Sequence, residues 1–336
     1  MSANAYILEA ETRHQIYLQR LGGSEAKRVK REVDSLIKRI VALVATTPDG
    51  VARQTALVQE LRLISQAAYQ QIVDSIDASM LNLADYELEF QQKLLGGAIT
   101  ASLTVPSTAQ VVNAVQFRLI EVKPGYQMTM REALRQYTQS EVESLTQIVR
   151  DGFATGTPNR EISRTIQDSL PIRRNHADAV ARTATNAAAS GAREELYSGN
   201  SDILDGLKYV ATLDSRTRID HAAKDGNVYA INDPNRPKTP DGWNCRCVLV
   251  PVVKSEYQLK GLQGVRPSRG DETTQVSSRM TYNGFLKQQS KEFQDEVLGV
   301  QRAKLWRSGK VKLSDMTDRF GRELTLEQLR ALESVV

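Results

Sequence analysis

Cysteine and histidine are scarce in this chain: 336 residues hold 2 Cys and 3 His. Two cysteines cannot form a disulfide framework in a chain of this length, which points to a reducing compartment. No run of about eighteen apolar residues occurs, so no segment is expected to span a bilayer. The opening "MSANAYILEAETRHQIYLQR" mixes charges of both signs without an apolar centre and does not read as a signal peptide. An excess of one charge sign is also missing: a net charge of +4 is too weak, alone, to argue for a nucleic-acid partner. There is no glycine-rich phosphate loop, since Gly152 and Gly156 fall in a helix-ending turn. What is present is ordinary for a soluble globular chain of two or three domains, with 40% hydrophobic and 25% charged residues.

The N-terminal part reads as two long amphipathic helices. The first begins after Gly22-Gly23 with Ser24 as N-cap and ends before Pro48. Val29, Val33, Leu36, Ile37, Ile40, Leu43 and Val44 repeat at three-four spacing and form one stripe. The second continues from about Val51, with Leu57, Leu61, Ile64, Ala68, Ile72, Ile76, Met80 and Leu83 in its stripe, and Gly96-Gly97 closes it. Joined at "TTPDG", the pair is expected to form an antiparallel hairpin. Its stripe packs either on its own partner helix or on another subunit.

A linker or loop is expected in "GGAITASLTVPSTAQ". Three helices should follow: "TMREALRQYTQSEVESLTQIVRDGFATG", "TPNREISRTIQDSL" with Thr157 as N-cap, and the small-residue-rich "NHADAVARTATNAAASGAREELYSG". From about residue 207 the pattern changes, and "LKYVATLD", "NVYAIND" and "CRCVLVPVV" read as three strands of a small antiparallel sheet. A flexible stretch, "GVRPSRGDETTQVSSR", leads to a helical tail. The expected fold class is α+β, mostly α. Its parts are a helical-hairpin arm over 1–97, a linker over 98–130, a mixed domain over 131–253, and a basic linker with helical tail over 254–336.

Both cysteines lie in "GWNCRCVLVPV", and His221 lies in "YVATLDSRTRIDHAAKDG". Asp214, His221, Cys245 and Cys247 supply the ligand types and number for a zinc site. The spacing argues against a common zinc knuckle. Two cysteines one apart on a strand share a face but stand about 7 Å apart along it, so a bend or bulge must bring them onto one ion. The other reading is a hairpin in which Cys247 is a small core residue and Cys245 lies half-exposed. A catalytic role has less support. His221 is the one histidine near the thiols, and Asp214, Asp220, Asp225 and Asp241 suit turns and caps better than acid–base pairs. An enzyme is not expected. From Lys254 to Lys312, twelve Lys/Arg face six Asp/Glu. Within that stretch Arg302, Lys304, Arg307 and Lys310 are candidates for contact with DNA phosphates, against the plainer reading of a solvated basic face.

The order of "ARTATNAAASGA", "YVATLDSRTRIDHAAKDG" and "PDGWNCRCVLVPV" resembles the phage Mu gpF-like minor head protein family, also called the phage head morphogenesis family. The residues that carry the resemblance are Arg182 and Thr183; Asp214, Arg216, Thr217 and His221; Asp225 and Gly226; and Asn244, Cys245, Arg246 and Cys247. It extends over about residues 140–336 and leaves the arm unmatched. Ala184 stands where many relatives have an acidic residue, and Gly242-Trp243 where they have histidine-proline. The first departure weakens the idea of a charged site at Arg182, and the second leaves a metal dependent on His221.

The resemblance implies a structural virion protein, made in the bacterial cytoplasm and carried in few copies inside the head near the portal. It implies a role in head assembly and in genome packaging or delivery. Its partners would be the portal protein and the major capsid or scaffolding proteins, with packaged double-stranded DNA as a further candidate. An alternative is a nucleic-acid-binding virion protein ejected with the DNA. A toxin- or transferase-type enzyme, as found fused to relatives of this domain, is the remaining alternative.

Overall fold

A computed structural model of the chain describes residues 2–48, 51–123, 125–318 and 321–333. The first helix, α1 (Ala3–Thr46), runs unbroken through Gly22-Gly23, and Ser24 is an interior residue whose hydroxyl donates to the Arg20 carbonyl. The glycines serve packing rather than termination. A Cβ on Gly22 would stand 3.3 Å from Cα of Arg182, on helix α6 (Leu170–Ser198). Helix α2 (Val51–Gly96) follows; Asp49 and Gly50, part of the expected turn, lie outside the described residues.

The two stripes are buried as the spacing predicts, with Leu43, Ile64 and Ala68 partly covered and Tyr69 fully buried beside them. Helix α6 packs along both α1 and α2, helix α4 (Met130–Ala154) covers α2 to a similar extent, and the two arm helices touch each other less than they touch these neighbours. Alanines 177, 181, 184, 188 and 192 of α6 are buried in that shared core, where small side chains let three helices approach closely. Each large aliphatic residue buried there contributes roughly 1.5–3 kcal/mol.

The expected linker over 98–130 is largely structured. It contains α3 (Thr108–Gln116) and a hairpin of β1 (Leu119–Lys123) with β2 (Tyr126–Thr129). Ser107 and Gln110 form a capping box at the start of α3. Helix α3 lies against Gly191 of α6, where a Cβ would stand 2.9 Å from the Ala114 carbonyl oxygen. Gly191→Ala should therefore push the two backbones apart and lower stability by about 1–3 kcal/mol, read as a lower urea midpoint. An unchanged midpoint would show that α3 is loosely held.

Helix α4 (Met130–Ala154) starts on a second capping box, Thr129 with Glu132. Helix α5 (Asn159–Asp168) is preceded by Pro158 at the N-cap, one residue later than expected, and Thr157 lies outside it. The three expected strands form one antiparallel sheet: β3 (Leu204–Val210) at the centre, flanked by β4 (Val228–Tyr229) and β5 (Val248–Val253). Pro251 fits because β5 is an edge strand, where a missing N–H breaks no ladder. Helix α7 (Ile219–Lys224) connects β3 to β4. The sheet packs where α1 begins and α2 ends, burying Ile7, Leu8, Leu95, Tyr209 and Val250 with Tyr197 of α6.

The stretch expected to be flexible is a hairpin, β6 (Val265–Arg269) with β7 (Thr273–Ser277). Beyond it, α8 (Tyr282–Lys287), α9 (Lys291–Leu298), α10 (Val300–Arg307) and α11 (Leu326–Glu333) surround a third apolar cluster. That cluster includes Leu213, Ile219 and Ala222 from the β3–α7 segment. Gly299 at φ 76° separates α9 from α10, a backbone state that glycine adopts without penalty. Among the described residues no helix is long and apolar enough to cross a membrane.

Candidate functional site

Cys245 and Cys247 precede β5 rather than lying on it. The chain reaches them through Gly242 at φ 97° and Asn244 at φ 58°, with the Cys245 N–H donating to the Gly242 carbonyl. Helix α6 fixes this turn from outside. Thr183 Oγ1 accepts from the Asn244 N–H at 3.0 Å, and Asn186 Nδ2 donates to the Cys245 carbonyl at 2.9 Å. The curl removes the 7 Å separation that two cysteines on a strand would have. His221, on α7, places Nδ1 3.1 Å from the Cys247 sulfur and 3.8 Å from the Cys245 sulfur. Both thiols and the imidazole are buried, at 6%, 2% and 2% exposure for Cys245, Cys247 and His221.

Asp214 does not join them. Its carboxylate grips Arg246 with both oxygens, accepts from the Arg216 N–H at 3.1 Å and lies 3.2 Å from Thr217 Oγ1. It is the organising residue of the β3–α7 loop, so its removal from the expected ligand set is a correction. The carboxylates near the imidazole are Asp220 and Asp241, with Oδ2 atoms 3.4 and 3.8 Å from His221 Nε2. By sequence alone both suit turns. Asp220 adjoins His221 in the sequence, and Asp241 lies four residues before Cys245, so proximity in the sequence is a signal for both. Asp241 also bonds Lys224 Nζ at 2.7 Å and the Tyr209 hydroxyl at 3.0 Å. Arg218 donates to Nε2 at 2.5 Å and to the Asp241 carbonyl.

Burial opposes charge on every group here, and specific neighbours decide the outcome. Burial pushes Cys247 up, and the adjoining Cys245 adds to this. For Cys245 burial is outweighed by hydrogen bonding from Cys247 and by His221, so this thiol ionises first. For His221 burial is outweighed by Cys245 and Asp241, which raise its pKa above the usual imidazole range. Asp241 is held below the usual carboxylate range because His221 and Lys224 outweigh its burial. A cavity of about 150 Å³ adjoins the cluster, lined by all three of its residues together with Arg218 and Trp243.

The other motif residues hold the fold. Arg182 bonds Asp178 at 2.6 Å and reaches the Gln19 carbonyl of α1. Asp225 accepts from the N–H groups of Ala211 and Tyr282 and from the buried Arg266. Gly226 takes φ 89°, and a Cβ there would meet Thr281 at 3.0 Å. At Gly242 a Cβ would stand 2.6 Å from the Arg218 guanidinium, so a side chain there has no room unless Arg218 moves. In the basic tail, Arg302 pairs with Glu323 at 3.1 Å and Arg307 with Asp295 at 2.8 Å. Lys304 and Lys310 are exposed.

Residues 143–250, from within α4 to within β5, match the family of Phage Mu protein F like proteins. An uncharacterized protein of Haemophilus influenzae is 29% identical over 126 residues, which cover 35% of this chain and 26% of the relative. The Mu-like prophage FluMu F protein of the same organism is 38% identical over 58 residues, covering 17% of this chain and 14% of the relative. The chain thus spans about a quarter or less of the curated relatives it matches. No solved structure matches. Every motif residue from Arg182 to Cys247 lies inside the matched segment, so the likeness to the Phage Mu protein F like family rests on residues 143–250.

Proposed function

We propose that this chain is a structural minor head protein of a tailed phage, acting in head assembly. The match of residues 143–250 to the Phage Mu protein F-like family carries the reading, and the name of the FluMu relative agrees with it. The internal contacts of the motif support a structural rather than catalytic role. Thr183, Asp214, Asp225 and Arg246 direct their polar groups at other parts of the same chain. Thiols buried to this degree cannot attack a macromolecular substrate without local opening.

At finer grain, the reading is a protein of the head interior near the portal. It meets the portal protein and the major capsid or scaffolding proteins there, and contributes to genome packaging or delivery. The virion is its location, after synthesis in the host cytoplasm. DNA contact receives less support, because ion pairs already engage Arg302 and Arg307.

A nonsense allele in the parent phage tests the assembly role. Without the protein, lysates should lose most infectious particles, and electron microscopy should show aberrant or empty heads. Normal titre with normal DNA-filled heads would refute it.

A further inference from the structure

We propose that Cys245, Cys247 and His221 bind one zinc ion, through both sulfurs and Nδ1, with a water molecule from the adjoining cavity as fourth ligand. The three ligand atoms lie within 4.8 Å of one another. In a tetrahedral site with Zn–S of about 2.3 Å and Zn–N of about 2.0–2.1 Å, sulfur and nitrogen stand about 3.6 Å apart and two sulfurs about 3.8 Å. The observed Nδ1–sulfur distances of 3.1 and 3.8 Å bracket the first value, so small side-chain rotations complete the site.

The surroundings fit a thiolate–imidazole centre. The Cys247 N–H points at the Cys245 sulfur, 3.4 Å away, as suits a sulfur that carries charge. On the far edge of the ring, the Asp220 carboxylate lies 3.4 Å from Nε2, near enough to accept its N–H hydrogen bond, with Asp241 behind it at 3.8 Å, the kind of partner that orients a metal-bound histidine. Arg218 occupies that edge in the present arrangement; its side chain is 46% exposed, so it can withdraw to solvent when Nε2 carries the proton. Those carboxylates are not themselves the metal site, because Lys224 already lies 2.7 Å from Asp241 and 3.6 Å from Asp220. Two thiolates and one zinc ion sum to zero charge, which a buried pocket tolerates better than one thiolate beside a thiol. The cavity of about 150 Å³, lined by all three ligand residues, has room for water at the fourth position. The ion would join the turn before β5 to α7, two segments far apart in sequence.

The test uses the full-length chain, purified under reducing conditions without chelator. Elemental analysis should find about one zinc per chain. Cobalt(II) added to the metal-free protein should give the intense visible bands of tetrahedral, thiolate-bound cobalt. Cys245→Ser and Cys247→Ser should each lose the zinc and the bands, while Asp214→Asn should keep both. The cobalt spectrum of the unmodified protein needs no variant, so a variant that fails to fold leaves the test intact. Folded protein that takes up neither zinc nor cobalt would overturn the proposal. Loss of metal in folded Asp214→Asn, as complete as in the thiol variants, would overturn the ligand set.

Discussion

Arg193→Met should destabilise the chain by about 3–5 kcal/mol at neutral pH, the usual result of removing one partner from a buried ion pair. Arg193 is 1% exposed and lies between two carboxylates of the arm, with Nε 2.5 Å from Glu87 and 3.6 Å from Glu11. His14 bonds the other oxygen of Glu87 at 2.6 Å, and Tyr197 donates to Glu11 at 3.0 Å. Without the guanidinium, His14 is the basic group left beside two buried carboxylates. Burial raises the pKa of both acids; at Glu87 the charge of Arg193 and the His14 contact reverse this and hold it at about 2, whereas Glu11 stays raised.

The sign of the pH effect follows. Glu87's folded pKa lies below its unfolded value, so its stabilisation is present above about pH 4.5 and lost as the pH falls toward 2. The deficit of the variant should be full at neutral pH and shrink as the solution is acidified. Urea unfolding followed by circular dichroism at pH 7 and pH 3 checks this. A loss under about 1 kcal/mol at pH 7 would contradict it, and so would a larger deficit at pH 3.

Asp225→Ala should have a comparable effect, about 3–5 kcal/mol, located where β3, β6 and α8 meet. Its carboxylate is the shared acceptor for three elements. The Ala211 N–H reaches it at 2.7 Å, the Tyr282 N–H of α8 at 2.6 Å, and Arg266 of β6 at 2.9 and 2.6 Å. Truncation leaves a guanidinium 3% exposed with carbonyl partners alone, those of Met280 and Ala211. Hydrogen exchange should then accelerate across α8, α9 and α10, while α1, α2 and α6 keep their protection. Pairing Asp225→Ala with Arg266→Met should restore much of the loss, because the unpaired charge is gone. Faster exchange in α6 but none in α8 would refute this assignment.

Asp225 also shows how far the sequence could be read. Its Asp-Gly pair signals a turn, and the turn is there, but the clamp on Arg266 joins residues 41 apart and leaves no local trace. The stripes of α1 and α2 are legible because three-four spacing encodes a buried face; what covers that face is not encoded, and the cover comes from α6 with α4 and α5. Gly22-Gly23 misled because glycine signals both a helix end and a close approach, and contact with Arg182 decides between them. Segment 98–130 suggests a linker by its serine, threonine and proline content, although Ser107 and Gln110 have the spacing of a capping box.

At the cluster, the residue types pointed to His221 and both thiols. The strand assumption came from the apolar run that follows, whereas the turn depends on the left-handed Asn244 and on Thr183 of α6. Asp214 sits near His221 in the sequence, but its pairing with Arg246 takes it elsewhere.

The most direct test of the head-protein reading is a protein inventory of purified, DNA-filled phage heads by quantitative mass spectrometry. The reading predicts peptides from the arm and from residues 143–250 at a few copies per head, held through density-gradient purification. Absence from purified heads, with the protein found instead in the soluble fraction of the lysate, would contradict it.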